Sequence, residues 1–407
     1  MATFEAVPLD HSPPERSPAY RRLTNQVLQR KLLLFGIMNQ AKIVQILGFL
    51  AEWAMKLRLP VKGIIRATVF REFCGGESLQ KSLPRISELH SLGIGSIPDY
   101  SVEGLKSEEL MDDTLLKLQD ALAFTANHEQ TPLFVFKVTG LVHVNLLEGF
   151  GCNTLTDPHQ LQSYQRGVER VHSLLRMAAE LQCPIMIDAE ESWIQDPIDQ
   201  IALEASVEFN QSKAIVVQTL QMYRHDRINY LRYCMEHAAE NSYVPAFKVV
   251  RGAYMEKERE RASLMGYHDP IQPDKASTDR DTHLAIEILL QHTTAFICLG
   301  THNRWSCVLA TELMAKFNIP KSSNRVIFAQ LLGMSDSLSV ELADAGYKVA
   351  KYLPFGPVNK VLPYLLRRAG ENSSAAGEIS REYALLLAEK NHRRKSASVE
   401  GQTSSAA

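Results

Sequence analysis

The chain has 407 residues, is 45% hydrophobic and 22% charged, and carries a formal net charge of −2. That balance is ordinary for a globular protein and gives no basic footprint for a nucleic-acid partner. None of the six cysteines forms a C-x-x-C pair or a Cys/His cluster with zinc spacing, so reduced, mostly buried thiols are expected.

Residues 1–18 are rich in Pro and polar groups and read as disordered. They contain no apolar signal core, and Glu5, Asp10 and Glu15 argue against a transit peptide. Residues 19–88 read as helices, with Leu32, Phe35, Ile43, Ile46, Leu47, Leu50 and Trp53 recurring at helical spacing. The most apolar stretch, Leu32 to Leu59, is interrupted by Lys42, Glu52 and Lys56 and so predicts no membrane span.

From there the chain alternates short apolar runs with helical patterns. The runs are GIGSIPDY (93–100), PLFVFKV (132–138), PIMIDAE (184–190), AIVVQTL (214–220), AFKVVRG (246–252), AFICLGT (295–301), RVIFAQL (325–331) and YKVAKYL (347–353). Continuous apolar runs suit strands buried on both faces. Eight such units predict one α/β domain over 89–375, a (βα)8 barrel of the TIM type with an N-terminal helical extension. The remainder, 376–407, reads as the end of a helix followed by a disordered tail, KNHRRKSASVEGQTSSAA, from 390.

Large polar residues gather where the runs end: Asp99 and Glu103, Lys137 and Thr139, Asp188, Glu190 and Glu191, Gln218, Lys248 and Arg251, Thr301, His302 and Asn303, Gln330, then Lys351 and Tyr352. A barrel builds its active site at that end, where the loops converge. Downstream, the adjacent Arg367 and Arg368 are natural donors to a carboxylate ligand. No G-x-G-x-x-G follows a strand and no P-loop occurs; LGTHN (299–303) is the candidate phosphate site, with Thr301 and Asn303 able to cap a helix starting near Arg304. Lys137, Lys248 and Lys351 at strand ends are also what a Schiff-base lyase would use. Residue chemistry alone leaves lyase and flavin dehydrogenase open.

The motifs DYSVEG (99–104), FKVTG (136–140), IDAEES (187–192), KVVRGAYMEKER (248–259), THN (301–303), LLGMSD (331–336) and KYLPFGPVNKVLPYLLRRAGENSS (351–374) resemble the proline dehydrogenase family over about residues 70–375. The resemblance implies a distorted (βα)8 barrel with noncovalent FAD, oxidation of L-proline to Δ1-pyrroline-5-carboxylate, and a membrane quinone as electron acceptor. It gives Arg367, Arg368 and Lys137 the proline carboxylate, and Glu103 the positioning of the arginines. Tyr254, Tyr352 and Leu331 would pack on the substrate ring. Asp188 and Lys248 would lie at the reacting centre, with Lys248 beside the flavin. Ala189, Gln218, Arg251, Gly252, Ala253, Thr301, His302 and Asn303 match cofactor positions, and Glu371 braces Arg367 one turn away. With no targeting signal visible, the expected location is the cytoplasm with peripheral contact to the inner membrane, or a mitochondrion in a eukaryote. Tyr352 fills space that a 4-hydroxyl would need, so proline is expected over hydroxyproline, whose dehydrogenase is the alternative reading within the family.

Overall fold

A computed structural model describes residues 16–40, 47, 53, 62–100, 104–358, 361 and 378–404. The N-terminal helices are α1 (Pro18–Arg21) and α2 (Asn25–Met38). They are followed by α3 (Lys62–Ile65), a π-helical turn at Arg66–Phe70, α4 (Arg71–Phe73) and α5 (Leu79–His90). The barrel then runs β1 (Ile94–Tyr100), α6 (Glu108–Ala126), β2 (Phe134–Phe136), α7 (Val144–Gly151), α8 (Pro158–Glu180), β3 (Ile185–Ile187), α9 (Ser192–Phe209), β4 (Val216–Gln221) and α10 (Arg227–Glu240). It continues with β5 (Ala246–Val250), α11 (Met255–Met265), α12 (Lys275–Gln291), β6 (Phe296–Gly300), α13 (Arg304–Lys316), β7 (Val326–Leu331), α14 (Asp336–Asp344) and β8 (Val349–Phe355). A last helix, α15, spans Glu378–Ser404.

All eight predicted runs are strands, all parallel, closed in sequence order with β1 against β8. Alternation within each strand divides the core. Ile97, Val135, Met186, Val217, Cys298 and Ala350 fill the lumen, while Ile187, Leu220, Val249, Leu299 and Phe328 face the helical layer. Both sides of every strand are therefore dry, which is why the sequence shows continuous apolar runs instead of strict alternation.

Two expectations are corrected. The polar segment from 390, expected from its composition to be a disordered tail, continues α15 to Ser404. Its Lys, Arg, Ala and Glu residues favour a helix, and Arg393 ties it to the N-terminus by donating to the Tyr20 carbonyl at 3.0 Å. Helix α1 also begins at Pro18, inside the segment read as disordered. All six cysteines are free, with only Cys152 exposed. Among the described residues no helix is long and apolar enough to cross a membrane, and no cluster could hold a metal ion.

Candidate active site

Four strands deliver their side chains to one point at the C-terminal mouth of the barrel. Asp188 leaves the end of β3, where its N–H donates to the Phe136 carbonyl at 3.0 Å. Its carboxylate accepts from Lys137 Nζ, just beyond β2, at 2.6 Å, and from Lys248 Nζ on β5. Lys248 Nζ also donates to Tyr352 Oη on β8 at 2.9 Å and lies 5.1 Å from the centroid of that ring. Tyr352 stands beside Leu331 in the β7–β8 register. Asp188, Lys248 and Tyr352 are buried. Burial alone would push the Asp188 carboxyl up, but the ammonium groups of Lys137 and Lys248 hold it well below the usual carboxylate range.

A second group of polar residues forms where β5 and β6 end. Arg251 donates to Asp279 Oδ1 at 2.8 and 2.6 Å, to Thr301 Oγ1 at 2.6 Å and to Ser306 Oγ at 2.9 Å. His283 Nε2 meets the same Ser306 hydroxyl at 2.9 Å. His302 Nδ1 lies 2.9 Å from Ser335 Oγ in the β7–α14 turn. Asn303 caps α13 by accepting from the Ser306 N–H at 3.2 Å, so that helix starts where LGTHN predicts. Gly252 has φ +138°, and a Cβ there would meet the buried Tyr223 ring at 2.4 Å. Only glycine lets the chain turn over that ring to place Ala253 and Tyr254 ahead of α11.

Ala189 follows Asp188 and is buried. The Glu190 carboxylate beside it accepts from the Thr139 N–H at 3.0 Å and from the Thr139 hydroxyl, joining the ends of β2 and β3. Gln218 is not brought to the mouth. It alternates with the lumen-facing Val217, so its side chain turns outward. There Gln218 Oε1 accepts from Tyr230 Oη at 3.4 Å and Cys234 Sγ at 3.9 Å on α10. Gln330 likewise faces outward, accepting from Ser339 Oγ at 2.9 Å. Lys351 points away from its neighbour Tyr352 and pairs with Asp336 at 3.1 Å. Strand alternation decides each case, and a position at a strand end does not reveal it. Glu103, Arg367, Arg368 and Glu371 lie outside the described residues.

Sequence reasoning missed Asp279, Ser306 and Ser335, which complete the second group of residues. All three sit within or just before helices; Ser335 falls in LLGMSD (331–336), but nothing in that motif marks its hydroxyl as a partner for His302. One acid among three on α12, Asp279 becomes informative only when the fold sets it against Arg251.

Both mouth lysines are engaged with Asp188, whereas a Schiff-base nucleophile must offer an unpaired amine. The arrangement suits binding and charge placement better than amine attack. A bowl of about 730 Å³ at the opposite end of the barrel, lined by residues such as Lys213, Arg325 and Lys348, contains none of the predicted site residues.

The family model described as "Proline dehydrogenase" matches residues 82–381. The chain is 28% identical over 382 residues to "Proline dehydrogenase 1, mitochondrial" of Dictyostelium discoideum, covering 83% of this chain and 67% of that protein. It is also 28% identical to "Hydroxyproline dehydrogenase" of Xenopus laevis, over 84% of this chain and 79% of the relative. Among solved structures, proline utilization A from Bdellovibrio bacteriovorus, inactivated by N-propargylglycine, shares the fold with a TM-score of 0.68 at 20% identity. That match covers 86% of this chain but only 37% of the larger protein.

Proposed function

Because the chain belongs to the proline dehydrogenase family, we propose that it oxidises L-proline to Δ1-pyrroline-5-carboxylate at the C-terminal mouth of its barrel. The observation that carries this reading is the convergence of Lys137, Asp188, Lys248 and Tyr352 on one buried point. They form a compact charged floor with an aromatic wall, chemistry suited to a small zwitterion.

The residues at the ends of β5 and β6 fit a phosphate-bearing redox cofactor. Arg251 supplies a guanidinium, Thr301 a hydroxyl and His302 an imidazole. Ala189, Gly252, Ala253 and Asn303 complete the proposed cradle with small side chains and a helix cap. FAD held there without a covalent bond would supply the hydride acceptor. A membrane quinone is the proposed final acceptor, on the strength of the sequence resemblance. Glu371 is proposed to brace Arg367.

The residues of the chain divide the remaining work. Lys137, with Arg367 and Arg368, holds the substrate carboxylate. Glu103 positions the arginines. Tyr254, Tyr352 and Leu331 enclose the ring and exclude water. Asp188 fixes both lysines, and Lys248 places positive charge at the reacting centre. The substrate amine must be neutral before hydride leaves C5. Cations lining a dry pocket favour that neutral form.

Anaerobic addition of L-proline to the purified, yellow protein tests the assignment: the visible flavin bands should bleach. A colourless protein that gains no bands with FAD would remove it. A yellow protein bleached by hydroxyproline and not by proline would move the substrate to the second reading, which the similarity to the Xenopus protein keeps in view. The buried ring of Tyr352 favours proline.

A further inference from the structure

The family match begins at residue 82 and ends at 381, yet the chain places two further pieces of structure against the mouth. Helices α1 and α2 and helix α15 share one apolar core, which includes Tyr20, Leu28, Phe35, Ile379 and Leu386. That core reaches the barrel at Met334, in the turn between β7 and α14.

Beside it lies a buried charge network. Lys31 of α2 is only 6% exposed. Its Nζ donates to Glu72 of α4 and to Asp336 of α14, the latter at 3.2 Å. Asp336 is shared with Lys351 of β8 at 3.1 Å. Lys351 Nζ also donates to the carbonyls of Leu331, at 3.4 Å, and Met334. Two lysines and two carboxylates therefore interlock, and all four groups belong to different elements. From the other side, Glu382 of α15 accepts from the Asp336 backbone N–H and from the Tyr20 hydroxyl. The turn leaves no slack: at Gly333, φ +76°, a Cβ would meet the Glu72 carbonyl oxygen at 2.6 Å.

The members of the network adjoin site residues. Lys351 precedes Tyr352, and Asp336 follows Ser335, whose hydroxyl meets His302 at 2.9 Å. Leu331, whose carbonyl Lys351 holds, is the proposed apolar wall of the substrate site.

We propose that Lys31 is a positioning residue: through Asp336 and Lys351 it locks the β7–α14 turn and β8, so that the helices outside the family domain set the placement of Leu331, His302 and Tyr352. The inference rests on the proposed function for the roles of those three residues, though not for the mechanical link. Without Lys31, Asp336 keeps its ion pair with Lys351 and the longer-range field of Arg85, and Glu72 loses its close partner, leaving Arg30 at 3.8 Å. Asp336 is half-buried, and a carboxylate there left short of cations is expected to draw water or to move, so the turn it belongs to would loosen.

The test is Lys31→Met in the full-length, flavin-loaded protein, assayed well below its Tm. Amide hydrogen exchange across 331–336 and 349–355 should quicken by about tenfold while strands β2 to β5 stay unchanged. The proline kcat/KM should fall about tenfold, mostly through KM, with Lys31→Arg restoring both readouts. Exchange at the wild-type rate in the turn, with kcat/KM within about twofold of wild type, would overturn the inference. Should Lys31→Met fail to fold, the charge-balanced pair Lys31→Met with Glu72→Gln is read the same way; failure of that protein to fold as well would make Lys31 a fold determinant and likewise overturn it. A wild-type protein inactive on proline would sink the proposed function and leave the exchange result to decide this inference alone.

Discussion

Lys248 and Tyr352 meet across the lumen, from strands that are not neighbours, with the ammonium donating to the phenol oxygen at 2.9 Å. The same ammonium is held by Asp188, so the tyrosine and the carboxylate together fix where positive charge sits. Tyr352→Phe removes one of those two restraints and keeps the ring. Loss of one charge-assisted hydrogen bond should lower kcat/KM by about tenfold, roughly 1.4 kcal/mol of transition-state stabilisation. Steady-state kinetics with unchanged flavin content would check it; activity within twofold of wild type would show that the phenol oxygen does not matter.

The ring of Tyr352 also bears on which substrate is used. It is buried beside Leu331, and in the proposed site it fills the space a 4-hydroxyl would enter. Proline should be preferred to trans-4-hydroxyproline by more than about tenfold in kcat/KM. Tyr352→Ser should narrow that gap, mainly by slowing proline turnover. Equal specificity constants in the wild type would contradict the expectation.

Asp188 pairs with both Lys137 and Lys248 and so sits between two cations. Asp188→Asn leaves both ammonium groups buried against a neutral amide and should destabilise the fold by about 3–5 kcal/mol. The pH dependence has a definite sign. Because the folded carboxyl lies below its ordinary value of 3.8, its stabilisation is present above that pH and is lost as pH falls through the folded value. Denaturation midpoints of wild type and variant should therefore converge in acid. A gap that stays constant below pH 3.8 would contradict the linkage.

Glu382 behaves oppositely. Burial pushes its carboxyl from the ordinary 4.5 up to about 8, with the Asp336 N–H opposing the rise. Between those values the folded state keeps a proton that the unfolded chain has released. Stability should fall with rising pH across that window, by about 1.4 kcal/mol per unit, and level off above it. Glu382→Gln should flatten the curve and make the protein more stable than wild type at high pH. Urea unfolding at a series of pH values measures the slope directly; parallel curves for the two proteins would show that Glu382 is charged throughout.

Of the candidate site, the sequence made legible what strand ends and motifs carry. Lys137, Asp188, Lys248 and Tyr352 could be picked out because each is a polar group in or just after an otherwise apolar run, and the fold brings them together. The cap at Asn303 was equally readable, since a short polar side chain before a helix has one local use. Gln218, Gln330 and Lys351 stand at equally plausible strand ends and face outward. Near the end of a strand, one residue of register decides between lumen and helical layer, and local sequence does not reveal it.

The sequence by itself determined the barrel: eight runs, apolar on both faces, can be satisfied only by strands covered inside and out. It also determined the chemistry available at the mouth, because charged groups placed where loops converge have few other uses. Only the tertiary structure decided which charges are partners. Lys31 and Asp336 are 305 positions apart, and Arg251 finds Asp279 on a helix with no motif. A buried ion pair depends on distance and dryness, and both are set by how elements pack and not by spacing along the chain.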